Sequence, residues 1–166
     1  MIVYRIAGKK YADDLSGTGA ALYGGRWNKK GTAMLYTGEN PALALLEVVV
    51  HTPPALVPKL DILTLEIPDD SITMLDENSL PNTWVDYPAP TVLSEIGEAW
   101  VRQADTVALR VPSCVSHAMH NYLLNPRHPN YSKVKLLSQE DFHFDPRLTS
   151  KYRIKNKLAI LCTLRF

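Results

Sequence analysis

AMLYTGENPALALLEVVVH, residues 33–51, changes period in mid-stretch and so sets the architecture. AMLYTG, 33–38, predicts a short strand that ends in a turn. Asn40-Pro41 then supplies an N-cap and a proline at the first helical position. The helix ALALLEVVVH, 42–51, is stopped by Pro53-Pro54.

Working outward, strands dominate. IVYRIA (2–7), KLDILTLEIP (59–68) and TVALRVP (106–112) read as strands, and VKLL (134–137), DFHF (141–144) and LAILCTLRF (158–166) as shorter or terminal ones. Residues 9–32 read mostly as loop, and residues 78–90, with Pro81, Pro88 and Pro90, as a loop over the surface. One further helix is expected at TVLSEIGEAWVRQ, 91–103, with Val92, Leu93, Ile96 and Trp100 on one face. Strands outnumber helices and do not alternate with them. That pattern predicts an α+β fold, a single domain over 1–166 with a mostly antiparallel sheet and flanking helices.

The 166 residues suffice for one full core, and 46% apolar with 21% charged residues is ordinary globular composition. A formal net charge of +1 argues against a broad electrostatic grip on nucleic acid. No apolar run is long enough for a membrane span, and the N-terminal apolar segment is too short for a signal peptide. Cys114 and Cys162 lack metal-ligand spacing and read as free thiols in a reducing cytoplasm.

Chemistry concentrates in three places. Glu47 is the lone carboxylate in a helix of Ala, Leu and Val. A helix apolar all round is a buried helix, so Glu47 is expected to be poorly solvated and in need of partners. The bland alternative is a solvent-facing Glu47 paired with His51 at i+4. In YGGRWN, 23–28, Arg26 offers a planar fork suited to phosphate or carboxylate, while Gly24 and Gly25 let a ligand approach the backbone. Equally, Arg26 could tie the loop to a carbonyl or an Asp. The stretch is neither a P-loop nor a dinucleotide fingerprint. Tyr4, Tyr23 and Tyr36 lie near these elements and could stack on a planar ring or pack as core and rim.

The third place is PSCVSHAMHNYLLNPRHPNY, 112–131. Ser113 follows a strand-ending proline, where a hydroxyl caps the next segment. No G-x-S-x-G elbow makes it a hydrolase nucleophile. His117 and His120 are three apart, but nothing completes a zinc set, so no metal site is expected. Asn125-Pro126 and His128-Pro129 read as a rigid turn.

Together these stretches resemble the RES domain family, named for an Arg, a Glu and a Ser. The matching segments are VYRI, SGTGAALYGGRWNKKGTAMLYTGENPALALLE, PSCVSHAMHNYLLNPRHPNY and FDPRL, in that order and over essentially the whole chain. The resemblance implies an ADP-ribosyltransferase-like fold. It also implies the toxin half of a RES–Xre type II toxin–antitoxin system that consumes NAD as substrate, with no cofactor. Its implied partner is an Xre-type helix-turn-helix antitoxin that covers the active site, and it allows a homodimer within that complex. By position, the family's Arg is Arg26, its Glu is Glu47 and its Ser is Ser113. Tyr36 matches the tyrosine between them, and Asn125 falls in the N-P-x-H-P segment. On this reading Glu47 stabilises an oxocarbenium-like ribose. Arg26 binds the pyrophosphate, Gly25 lets the dinucleotide lie close, Tyr36 and Tyr4 contact the ligand, and Ser113 orients rather than attacks. NAD glycohydrolase, NAD phosphorylase and protein ADP-ribosyltransferase share this site and differ in acceptor. A silent binding module is the reading from another class.

Overall fold

The computed structural model describes residues 1–51, 59–145 and 147–148. Its strands are β1 (Ile2–Gly8), β2 (Leu35–Gly38), β3 (Leu60–Glu66), β4 (Ile72–Met74), β5 (Ala108–Pro112), β6 (His120–Leu124) and β7 (Lys135–Phe142). Its helices are α1 (Thr18–Tyr23), α2 (Pro41–His51) and α3 (Thr91–Gln103). The strands form one sheet in the order β4-β5-β6-β2-β1-β3-β7. Every pairing is antiparallel except that of β4 with β5. The α+β expectation therefore holds.

Alternation along the strands sorts the core into two faces. On one face, Tyr36, Leu109, Val111 and Leu123 meet Leu93 and Trp100 of α3 and the buried Trp27. Tyr4, Ile6, Leu60 and Ile62 continue that face beneath Ala44, Leu45 and Val48 of α2. The opposite face buries Val3, Leu35, Leu65, Tyr122 and Leu124 under Leu15, Tyr131 and Val134. The two main helices thus cover the same face, α3 over the β5–β6 part of the sheet and α2 over the β1–β2 part.

Several elements differ from expectation, each for a local reason. α1 lies inside the stretch read as loop. It is only six residues long, buries none of them and starts from a left-handed Gly17, so it has no apolar period to read. The strands expected at 134–137 and 141–144 are one edge strand, β7. Its polar centre, Ser-Gln-Glu-Asp, reflects an edge with little burial. β4 and β6 were not expected at all. β6 is HNYLL, whose inward residues include an asparagine, which blurs the apolar alternation. On α3 the buried residues are Leu93, Ser94, Gly97 and Trp100. Val92, expected on that face, is exposed. The strand expected at 158–166, Cys162 and the Pro53-Pro54 stop lie outside the described residues.

Gly97 sets how close α3 comes to the YGGRWN loop. A Cβ at this position would stand 1.9 Å from the Trp27 carbonyl oxygen. Alanine favours helix by roughly 1 kcal/mol over glycine, but overpacking against backbone costs about 1–3 kcal/mol or more. The clash outweighs the propensity. Gly97→Ala should lower the urea midpoint, with a net loss of up to about 2 kcal/mol. A variant as stable as wild type would show that α3 can slide off Trp27 freely.

Candidate active site

Helix α2 carries Glu47 to the sheet because of its phase. The side chain of Asn40 accepts the Leu43 backbone N–H at 2.9 Å and fixes the helix start. Leu43 and Ala44 are buried against the sheet. Glu47 follows them by four and three residues, so it faces the same way. Leu46 and Val50 are exposed, so the helix lies at the surface. This corrects the expectation of a helix buried all round. The Glu47 side chain is 25% exposed.

At the sheet, Glu47 Oε1 accepts from Ser113 Oγ at 3.1 Å and from Asn121 Nδ2 at 2.6 Å. Oε2 lies 3.8 Å from His51 Nε2 on the exposed side. Both sequence readings of Glu47 are therefore present, one on each oxygen. Ser113 is fully buried and follows the last residue of β5. Its Oγ accepts the backbone N–H groups of Val115 and Ser116, each at 3.2 Å. The hydroxyl caps the next turn, and its own proton is left for Glu47.

The YGGRWN loop is held from beneath. Trp27 is buried in the core under α3. Asn28, also buried, donates from Nδ2 to the carbonyls of Ala20, Lys29 and Thr32. Its Oδ1 accepts from the Tyr36 hydroxyl at 2.7 Å, and that hydroxyl accepts the Trp27 N–H at 3.1 Å. A Cβ on Gly25 would stand 2.6 Å from the Tyr36 hydroxyl, so glycine here admits the tyrosine.

Anchored this way, Arg26 reaches across to the 81–90 segment. Its Nη1 donates to the Trp84 carbonyl at 2.5 Å and its Nη2 to the Asp86 carbonyl at 3.1 Å. The Trp84 ring meets the His117 ring with centroids 5.8 Å apart. A surface loop with no motif thus becomes a strap between Arg26 and the loop that follows Ser113.

Opposite charges act on the buried Tyr36 hydroxyl and on the half-buried Cys114. Burial pushes the Tyr36 hydroxyl well above its usual range. The Trp27 N–H and the Arg26 cation oppose that rise, and the Glu47 anion adds to it. Burial likewise raises the Cys114 thiol, again with Arg26 opposing and Glu47 adding. The Arg26 cation and the Glu47 anion therefore both act on Tyr36 and on Cys114. Among the described residues no group of three His, Cys, Asp or Glu side chains is arranged to hold a metal ion.

The RES domain model matches residues 2–145. The chain belongs to the RES domain family. It is 38% identical over 154 residues to Toxin Res of Yersinia enterocolitica, covering 89% of this chain and 99% of that one. It is 37% identical over 144 residues to the Prs ADP-ribosylating toxin of a Sphingobium species, covering 84% and 89%. Its fold matches a chain in the crystal structure of the M. tuberculosis MbcT-MbcA toxin-antitoxin complex, with a TM-score of 0.73 at 19% identity over 92% and 88% of the two chains.

Within this RES fold the expected residues do not all converge. Glu47 is bonded to Ser113, Tyr36 is bonded to the backbone of the Arg26 loop at Trp27, and the Arg26 and Glu47 charges both act on Tyr36. Tyr4 lies on the same sheet face, opposite Gly38 and packed under α2. Tyr23 is 79% exposed at the end of α1. Asn125 is fully buried just beyond the far end of β6. Its Nδ2 donates to the Val101 carbonyl and its Oδ1 accepts the Arg127 N–H, so it fastens α3 to the turn. His120 bonds Arg110 and Glu77 on the other face. Asn121 and the Trp84 and Asp86 carbonyls were missed. Asn121 would have stood out had HNYLL been read as a strand, because an amide then falls on the helix-covered face.

Two outcomes follow from the site's own hydrogen bonds. A lysine ammonium is a point charge without the planar fork whose two nitrogens reach two separate carbonyls, so Arg26→Lys should loosen the strap. Hydrogen exchange at the Trp84 and Asp86 amides should rise roughly tenfold, a loss of about 1.4 kcal/mol of local protection. Unchanged exchange would mean that the strap is held elsewhere. The raised Tyr36 hydroxyl keeps its proton when the unfolded tyrosine, at its usual 10.0, has lost it. Its stabilisation is complete below pH 10.0 and declines as pH rises further. Tyr36→Phe should be less stable near neutral pH, by roughly 1–2 kcal/mol, but should lose stability less steeply in alkaline denaturation.

Proposed function

We propose that this RES chain is the toxin of a toxin–antitoxin pair. It cleaves NAD+ at the nicotinamide–ribose bond, depletes cellular NAD and arrests growth. The observation that carries the reading is an anchored carboxylate, Glu47, whose charge and that of the Arg26 guanidinium act on the same two side chains, Tyr36 and Cys114. Breaking the glycosidic bond sends its electron pair to nicotinamide and leaves positive charge on the ribose ring. A fixed carboxylate stabilises that charge more than it stabilises the intact substrate, which is the condition for rate enhancement. Arg26 keeps N–H donors beyond the two given to the strap, and these serve the pyrophosphate. Tyr36 stays neutral, so it contacts the substrate without repelling its phosphates. NAD+ enters as substrate, and the step requires no cofactor.

Water as acceptor makes the protein an NAD+ glycohydrolase, and phosphate makes it an NAD phosphorylase. A protein side chain makes it an ADP-ribosyltransferase, which the name of the Sphingobium relative favours. The fold match to a chain from a toxin–antitoxin complex supports an antitoxin partner. We assign that partner as an Xre-type helix-turn-helix protein that covers the site in the cytoplasm.

Induced expression without the antitoxin should arrest growth and lower intracellular NAD, with nicotinamide appearing. Glu47→Ala should restore growth, with turnover reduced on the order of 10²–10³-fold. Growth arrest with steady NAD would redirect the reading to modification of a specific protein. A Glu47→Ala protein that remains fully toxic would overturn the role of the carboxylate.

A further inference from the structure

The two donors on Glu47 share one oxygen, and that asymmetry has a chemical meaning. Ser113 Oγ and Asn121 Nδ2 both address Oε1, at 3.1 and 2.6 Å. Among the described residues, the partner given for Oε2 is the His51 ring at 3.8 Å, from a side chain that is 71% exposed. Neither donor can turn round. The Ser113 oxygen already accepts two backbone N–H groups, so its proton points to the carboxylate. The Asn121 amide must present nitrogen to Oε1, because its carbonyl oxygen there would set lone pairs against a carboxylate at 2.6 Å. Asn121 comes from β6, where its backbone is paired with Gly38 on one side and Val111 on the other. It therefore has the rigidity of an interior strand, whereas Glu47 sits on a surface helix.

We propose that Asn121 is a positioning residue for the reaction. Its amide and the Ser113 hydroxyl clamp Oε1, so that Oε2 is the oxygen presented to the developing positive charge on the substrate. The assignment rests on the NAD-cleaving reading for its substrate and on geometry for the clamp. Donation to one oxygen fixes the carboxylate plane and stops the side chain from swinging out to His51 and solvent. A carboxylate a fraction of an ångström out of place still binds substrate but stabilises the transition state less well. The signature is therefore a fall in kcat with little change in KM.

The test compares Asn121→Asp and Asn121→Ala with wild type, alone and combined with Glu47→Gln. Three measurements are made: growth arrest on induction, kcat and KM for NAD+, and the melting midpoint. Asn121→Asp keeps the shape but sets a charged oxygen against Oε1. It should lower kcat roughly 10–100-fold, the range of a lost charge-assisted hydrogen bond, with KM within about twofold. Asn121→Ala should fall by about tenfold and remains informative if the aspartate variant does not fold. In the Glu47→Gln background, Asn121→Asp should regain melting temperature, since glutamine can donate to the new carboxylate. It should cost no further kcat there, because a clamp acts only through what it holds. Unchanged kcat in both single variants, or losses that add in the double variant, overturn the assignment. If wild type arrests growth without consuming NAD+, the substrate reading fails and toxicity decides. Loss of arrest in both Asn121 variants, at wild-type melting temperature, supports the clamp. Full arrest removes it.

Discussion

A carboxylate three-quarters withdrawn from water has to be given donors, and the fold is arranged so that Glu47 receives them from the end of one strand and the inside of the next. Desolvating a bare carboxylate costs several kcal/mol. Two charge-assisted hydrogen bonds, each worth about 1.5–3 kcal/mol, offset that cost. The donors come from just after β5 and from the inward face of β6, and the acceptor comes from the helix that follows β2. β2 and β6 are adjacent in the sheet, and β5 lies next to β6. The strand order is thus what brings residue 47 to residues 113 and 121. A sheet with the same strands in sequence order would leave the carboxylate unsupported.

The positive half of the site is built by a different rule. Arg26 sits on a loop, and nothing in a loop of glycines is rigid by itself. Its fixity comes from its neighbours: Trp27 locked under α3, Asn28 filling three carbonyls, and the Tyr36 hydroxyl bridging them to β2. The same tyrosine feels both the Arg26 cation and the Glu47 anion. It is at once the buried link that holds the loop and the wall on which both charges converge.

What was legible in the sequence follows from which signals are local. The β2-turn-α2 passage was readable because Asn40, Pro41 and the aliphatic run are neighbours. Arg26, Tyr36, Glu47 and Ser113 could be named from motifs, and in the structure Ser113 bonds Glu47 while Arg26 and Glu47 both act on Tyr36. Asn121 was hidden because its meaning depends on β6 being a strand, and HNYLL sits between histidines and an Asn-Pro turn that read as loop. α1 and β7 were missed or divided because neither buries enough surface to show a period. Asn125 shows the converse: a residue inside a recognisable motif whose amide groups are used to hold two elements together away from Glu47.

The strap from residues 81–90 marks the limit of motif reading for a physical reason. Arg26 grips it through the carbonyls of Trp84 and Asp86, groups that every residue carries, so the contact leaves no trace in side-chain identity. The sequence left Arg26 with two alternatives, ligand binding or tying a loop to a carbonyl. A guanidinium has five N–H donors in a plane, and two carbonyls do not exhaust them. Both roles can belong to one side chain, with the first making the second more effective. Held by the strap, the fork is already oriented, so less side-chain freedom is lost when an anion arrives. The strap in turn brings the Trp84 ring against His117, on the loop that begins at Ser113. One arginine therefore connects a segment with no motif to the loop that supports the carboxylate, and the two charged halves of the site are held in register by main chain.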